Sequence, residues 1–241
     1  MTTRIHLWSS PRNISTALMY SFAQRSDTTV VDEPLYAWYL AHTSTAAEHP
    51  GVPDIMASQS ADGTQVTREV LCGHAPTSVV VFKQMTHHLL HLDRQPLHAA
   101  QHVLLIRDPR AILNSYRKVV NAPTAADIGV PQQDEWYDYL VEQNLLTAIV
   151  DAKRLLSDPP TVLRALCDKL AIPFESDMLQ WPAGARPEDG VWAKYWYHNV
   201  HQSTGFQPYV EREITLPPAL EEVALACQPH YERLLSSPYL L

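Results

Sequence analysis

Cysteine is scarce, long apolar runs are missing and positive charge is in deficit. The three cysteines, Cys72, Cys167 and Cys227, are odd in number and far apart, with no CxxC pair and no zinc-ligand spacing. That excludes a disulfide framework and points to a reducing compartment. No apolar run approaches the roughly 20 residues that cross a bilayer. The segment Met1 to Trp8 enters a strand-like pattern directly, without the apolar stretch of a signal peptide. A cytoplasmic protein without membrane contact is the expectation. Eighteen Lys and Arg stand against 26 Asp and Glu, a formal net charge of -8. A broad polyanion surface needs clustered cations, so no nucleic-acid partner is expected and any anion site must be local.

What is present suits one large α/β domain over residues 1–241, of which 46% are hydrophobic and 18% charged. Arg4 to Trp8 reads as a strand, followed by a polar loop and an apolar-periodic helix from Thr16 to Ala23. Thr28 to Val31 is a short β-branched run that ends at Asp32-Glu33-Pro34, where proline breaks the ladder. Ser78 to Lys83 and His102 to Ile106 read as buried strands. The stretch from Gln84 to Leu90 can open a helix, and Pro109 suits a helix first turn. The segment from Asp134 to about Thr147 reads as helix, Ala148 to Val150 as strand, Pro160 to Leu170 as amphipathic helix, and about Pro218 to Leu234 as a final helix. Residues 43–76 read as a surface excursion with a helical turn around Arg68 to Leu71, and Trp181 to Tyr209 as irregular chain. Alternating strands and helices predict a three-layer α/β/α fold with a central parallel β-sheet.

Ligands bind outside the carboxyl ends of the strands in such a sheet. The residues to watch are Ser9-Ser10-Pro11-Arg12-Asn13-Ile14-Ser15-Thr16, then Glu33, then Lys83 with Thr86 and His87, then Arg107 through Ser115. The first loop has the parts of a phosphate cradle: a strand-to-helix turn, a cation at Arg12, hydroxyls at Ser15 and Thr16, and helix N-terminal amides. It contains neither the glycines nor the lysine of a Walker A loop. The competing reading is that Ser15 or Thr16 caps the helix. Arg107 and Ser115 can hold a second phosphate, since Arg binds oxyanions bidentately; the alternative is a surface Arg beside a solvent-facing Ser. His87, His88 and His91 invite a metal reading, but no H-E-x-x-H set or completing carboxylate is present, and no metal is expected.

Together, and in this order, the segments Pro11-Arg12-Asn13-Ile14-Ser15-Thr16 and Arg107-Asp108-Pro109 with Ser115 resemble motifs of the PAPS-dependent sulfotransferase family, PAPS being 3′-phosphoadenosine 5′-phosphosulfate. The likeness is closer to a bacterial sulfotransferase-like branch. It is carried by Trp8 through Thr16, by Asp32-Glu33-Pro34-Leu35-Tyr36 and by Lys83-Gln84-Met85-Thr86-His87-His88, with Pro160 to Pro173 similar to the family's late helix. The resemblance implies a P-loop nucleotide-binding fold and a sulfuryl group moved from PAPS to a hydroxyl or amine of a small-molecule acceptor, leaving adenosine 3′,5′-bisphosphate. Donor contacts then fall to Ser10, Pro11, Arg12, Asn13, Ile14, Ser15 and Thr16 at the 5′ end, and to Arg107 and Ser115 at the 3′-phosphate. Asn13-Ile14 stands where the family usually has Ser-Gly, and Asn tolerates the left-handed conformation that a glycine would supply.

Arg12 and Lys83 are placed to neutralise developing charge. Glu33 resembles the carboxylate base of several bacterial and Golgi-type members, and His87 the catalytic histidine of the cytosolic branch; both remain candidates for the base. The family's Arg-Lys-Gly closing loop is missing. Ser203-Thr204-Gly205-Phe206 occupies its place, with Thr204 and Gly205 as donor contacts, although the aromatic residues there also suit a satellite core. A kinase-like phosphotransferase, with Asp32 and Asp108 near the site, and a non-catalytic nucleotide-binding module are the competing functions. A homodimer remains open.

Overall fold

The computed structural model describes residues 2–43 and 49–241. Five strands form one parallel sheet: β1 (Thr3–Ser9), β2 (Thr28–Asp32), β3 (Val79–Met85), β4 (Gln101–Ile106) and β5 (Leu146–Asp151), in the order β2-β3-β1-β4-β5. The helices are α1 (Ser15–Phe22), α2 (Tyr36–His42), α3 (Val52–Ser58), α4 (Gly63–Val66), α5 (Pro109–Tyr116), α6 (Ala125–Ile128), α7 (Val130–Glu142), α8 (Ala152–Ser157), α9 (Pro159–Lys169), α10 (Ala193–Trp196), α11 (His198–His201) and α12 (Pro218–Leu235).

Strand β1 shows how the layers arise. Its alternate residues Ile5 and Leu7 enter one core with Leu18, Met19 and Phe22 of α1 and Leu163 and Leu166 of α9. Trp8 enters the opposite core with Trp136 and Leu140 of α7. A period of two thus feeds two faces, and helices cover both. Strand β3 is buried along its whole length, as a nearly continuous apolar run in a parallel sheet should be. On the Trp8 face, His6 is fully buried and stacks on Phe82 at 4.9 Å and on His102 at 5.3 Å. Burial holds both imidazoles toward the neutral form, His6 well below its ordinary value and His102 at about 4.

Several sequence expectations need correction. The 43–76 excursion holds α3, α4 and a wide helical turn over Thr67–Leu71, with residues 44–48 outside the described set. Gln84 and Met85 belong to β3, and only a short 3-10 turn, Thr86–His88, follows. The helix expected from Asp134 to Thr147 runs from Val130 to Glu142, because Leu146 already pairs in β5. The Trp181 to Tyr209 stretch includes the two short helices α10 and α11.

Candidate active site

Sheet order decides which loops meet. With β1 between β3 and β4, the carboxyl ends of β2, β3, β1 and β4 lie side by side, and the strand order runs outward from β1 toward both edges, a switch point of the kind at which open α/β sheets bind ligands. A cleft of about 550 Å³ opens there. Its wall includes Pro11 through Ala17, Glu33, Lys83, His87, Arg107 and Ser115. Of the residues expected at the site, Ser10 and Thr204 do not line the cleft, and Ser9 and Thr86, whose hydroxyl donates to the Ser9 carbonyl at 3.3 Å, are absent from its wall too. Ser10 is fully buried with its hydroxyl on Gln133. Thr204 lines a neighbouring open groove with Pro159, Pro160 and Trp181.

The loop after β1 does without glycine by being tied down. Arg12 (φ 59°) and Ile14 (φ 53°) adopt the left-handed conformation, which costs an L-residue roughly 1–2 kcal/mol. Asn13, the residue whose chemistry suits that conformation, does not take it. Its amide instead donates to the Leu105 carbonyl of β4. Arg107 donates to the Arg12 carbonyl, and the Gln133 side chain donates to the carbonyls of Trp8 (3.3 Å) and Leu105 (2.9 Å). Tethers from two other elements therefore hold a strained turn. Neither Ser15 nor Thr16 caps α1: its N-cap residue is Ile14 and no side chain bonds the first-turn amides. Those amides remain available to an anion.

Two guanidiniums border this turn. Arg12 reaches the Ser115 hydroxyl (Nε to Oγ, 3.0 Å) and the Trp196 carbonyl (3.0 Å), joining the β1 loop to α5 and α10. Burial lowers the basicity of both Arg12 and Arg107, and at Arg107 the charge of Arg12 lowers it further. Among the described residues neither has a carboxylate within ion-pair distance, whereas Arg25, Arg110, Arg186 and Arg233 do. Arg12 and Arg107 are thus two largely buried like charges that repel each other, with no carboxylate among the described residues in ion-pair contact with either.

Beside them lies a buried ionic group. Asp32 and Lys83 are register partners across β2 and β3, and the Glu33 amide donates to the Lys83 carbonyl at 2.9 Å. The Lys83 ammonium donates to Asp32 Oδ1 (2.8 Å), to Glu33 Oε1 and to the Tyr197 hydroxyl (2.8 Å). Tyr197 in turn donates to Asp32 Oδ2 at 2.6 Å and accepts from the Trp192 indole at 3.1 Å. Burial raises the Glu33 carboxyl above its ordinary range; Lys83 opposes this and Asp32 adds to it. For Lys83, burial works to lower the ammonium, but Asp32 and Glu33 overcome it and the net shift is upward.

His87 is 5% exposed, packed edge-on against Tyr39 (5.0 Å) and His88 (4.6 Å). Its Nδ1 has no hydrogen-bond partner among the described residues. Burial, with the nearby His49 charge, holds it down to about 3. Gly205 lines the cleft and is also tied to a neighbouring segment. A Cβ there would lie 2.9 Å from the Leu179 carbonyl, and Gly205 bridges to Gln180. Phe206 packs on Trp181 at 5.1 Å.

Known proteins share the family and the fold of this chain. Residues 3–236 match the profile of the sulfotransferase domain. The chain belongs to that family. It is 41% identical over 214 residues to branched-chain-amino-acid aminotransferase-like protein 1 of Arabidopsis thaliana, and 38% identical over 228 residues to protein 2 of that name. These matches cover 88% and 94% of this chain but only 38% and 40% of the relatives, so the chain spans about two fifths of their length. Among solved structures it is similar to the sulfotransferase domain from the curacin biosynthetic pathway, with TM-score 0.55, 16% identity and coverage of 95% of this chain and 98% of that one. It is also similar to the sulfotransferase domain from the Synechococcus PCC 7002 olefin synthase, with TM-score 0.53, 17% identity and coverage of 93% and 94%. At those identities the likeness speaks for the fold.

For this sulfotransferase-family chain, several wall residues escaped sequence reasoning. Tyr36, His49, Lys118, Tyr197 and Arg212 all line the cleft. Asp32 was visible beside Glu33, but nothing in the sequence ties Tyr197 to a lysine 114 positions away. Among the described residues no group of three or more His, Cys, Asp or Glu side chains is arranged to hold a metal, and no helix is long and apolar enough to cross a membrane.

Proposed function

We propose that this chain, as one cytoplasmic domain over residues 1–241, is a sulfotransferase that takes PAPS as donor and a hydroxyl or amine of a small molecule as acceptor. The observation that carries the reading is the pair Arg12 and Arg107, two cations without a carboxylate partner among the described residues, set around an uncapped helix N-terminus. The residues fit an adenosine nucleotide with phosphate at both ends. The α1 amides, Arg12, Ser15 and Thr16 would hold the 5′ end, and Arg107 with Ser115 the 3′-phosphate. When bound, the donor supplies the sulfuryl group and leaves as adenosine 3′,5′-bisphosphate.

The chain's own groups would then position and discharge the acceptor. Glu33 and His87 both line the cleft, and the geometry favours Glu33 as the base. Its carboxyl is raised toward neutral pH, where a general base works best. An imidazole held at about 3 is a poor proton acceptor at that pH. Lys83 supplies positive charge at the reacting end, although its three protons are all engaged by Asp32, Glu33 and Tyr197. Release of Glu33 on protonation would free one of them for the bridging oxygen.

A kinase needs a carboxylate for Mg²⁺. Asp32 has both oxygens occupied, and Asp108 caps α5 through the Ala111 amide at 3.0 Å, which counts against that alternative. Calorimetric titration with adenosine 3′,5′-bisphosphate, and separately with ATP plus Mg²⁺, tests the donor. Metal-free binding of the bisphosphate is the expected result. Binding of ATP alone would mean a kinase, and binding of neither a chain that is not a nucleotide-dependent enzyme.

A further inference from the structure

Two adjacent carboxylates share one buried ammonium, but they are held differently. Asp32 is saturated: Oδ1 accepts from Lys83 at 2.8 Å, and Oδ2 accepts from the Tyr197 hydroxyl at 2.6 Å and from the Gly190 amide at 3.1 Å. Its side chain is 1% exposed, and it is absent from the cleft wall. Glu33 lines the cleft, and its one side-chain donor among the described residues is Lys83. Without Asp32, Lys83 and Glu33 would form a simple buried pair of opposite charges, and an opposite charge at that distance holds a carboxylate firmly ionised. With Asp32 present the group of three carries one negative charge too many, and only Glu33 is placed to give that charge up.

We propose that Asp32 is a positioning residue: anchored by Tyr197 and Gly190, it takes up the Lys83 charge so that the cleft-facing Glu33 stays basic enough to accept a proton. The titratable groups facing Glu33 from the described elements around it are Asp32 of β2, Lys83 of β3, Tyr36 of α2, Tyr116 of α5 and Tyr197 between α10 and α11. The tyrosines are all pushed above their ordinary value, by burial first. They remain neutral while Glu33 titrates, which leaves Asp32 and Lys83 as the charges that set it.

The inference rests on Glu33 as the base, but its test needs neither donor nor acceptor. The full chain is labelled with ¹³C at glutamate Cδ, and Glu33→Gln identifies the Glu33 resonance. Its midpoint is read in the wild type, in Asp32→Asn and in Tyr197→Phe. Asp32→Asn should lower the midpoint by about one pH unit or more. Tyr197→Phe, which keeps every charge, should stay within about half a unit. Asp32→Ser removes the same charge without an amide to satisfy and should reproduce the shift if the asparagine variant does not fold. An unmoved midpoint in the folded charge-removal variant, or an equal shift in Tyr197→Phe, would overturn the inference while leaving nucleotide binding untouched. Loss of bisphosphate binding in calorimetry would sink the donor reading and leave the titration standing.

Discussion

Replacing Lys83 by Met should expose the dependence of the fold on this buried charge group. The methionine fills most of the lysine volume, so the change is chiefly the loss of one ammonium. Lys83 and Asp32 side chains are each 1% exposed and Glu33 is 9% exposed, so water cannot replace it. Asp32 would retain the Tyr197 hydroxyl and the Gly190 amide, whereas Glu33 would lose its one side-chain donor. Removing one partner of a buried ion pair costs about 3–5 kcal/mol, a large part of the roughly 5–15 kcal/mol typical of a domain. In a chain of this size that is a fall in Tm on the order of 10 °C. Urea denaturation followed by tryptophan fluorescence at pH 7.5 and pH 5.5 measures it. The Glu33 carboxyl is already raised by burial and would rise further without Lys83. A group whose folded value exceeds its unfolded value takes up a proton more readily when folded, so the deficit must shrink as pH falls. The double variant Lys83→Met with Asp32→Asn should recover at least half of the loss. A single variant within about 1 kcal/mol of wild type, or a deficit that ignores pH, would refute the account of the group as buried and interdependent.

Arg107→Ala should weaken adenosine 3′,5′-bisphosphate binding by a factor of about ten or more while changing ATP binding much less; equal loss for both would remove Arg107 from the 3′-phosphate. The buried imidazoles His6, His87, His88 and His102 are all held below their ordinary value, by burial first. Such groups stabilise the fold above the unfolded value and lose that contribution as pH falls toward the folded one. At pH 5 His87 and His102, held at about 3 and about 4, should each cost about 2 kcal/mol. His6 and His88 act in the same direction, and melting curves between pH 7 and pH 4.5 should fall steeply, less so in His102→Gln. Gly129→Ala places a Cβ 2.9 Å from His87 Nδ1 at φ 66°, and should cost about 1–3 kcal/mol by strain and displacement of the ring. A neutral result in thermal unfolding would mean that His87 has room to move.

Local patterns are enough to read the elements that position the site. The β-branched runs, Pro34 and Pro109 mark strand ends and a helix start with little error, because period-two burial and proline chemistry act within a few residues. Pro11 through Thr16, Glu33 and Arg107 stand out because they follow strand ends in a parallel sheet, whereas Lys83 lies two residues inside the end of β3 and Ser115 near the end of α5. Less is legible where the chain makes its own exceptions. Asn13 is the residue suited to a left-handed turn, yet Arg12 and Ile14 adopt it because the Asn13 amide is needed at Leu105, a partner 92 positions away. Thr204 and Gly205 sit in the right stretch of sequence, but packing against Trp181 and Leu179 decides what they face. Local spacing thus settles which side chains stand at the strand ends. Which of them are satisfied and which are left open is settled by contacts between distant segments. Tyr197 and Gly190, far along the chain, saturate Asp32, so Glu33 keeps the cleft-facing carboxylate, and no carboxylate among the described residues pairs with Arg12 or Arg107. Burial and long-range hydrogen bonds fix protonation and free valence, and neither is encoded in local spacing.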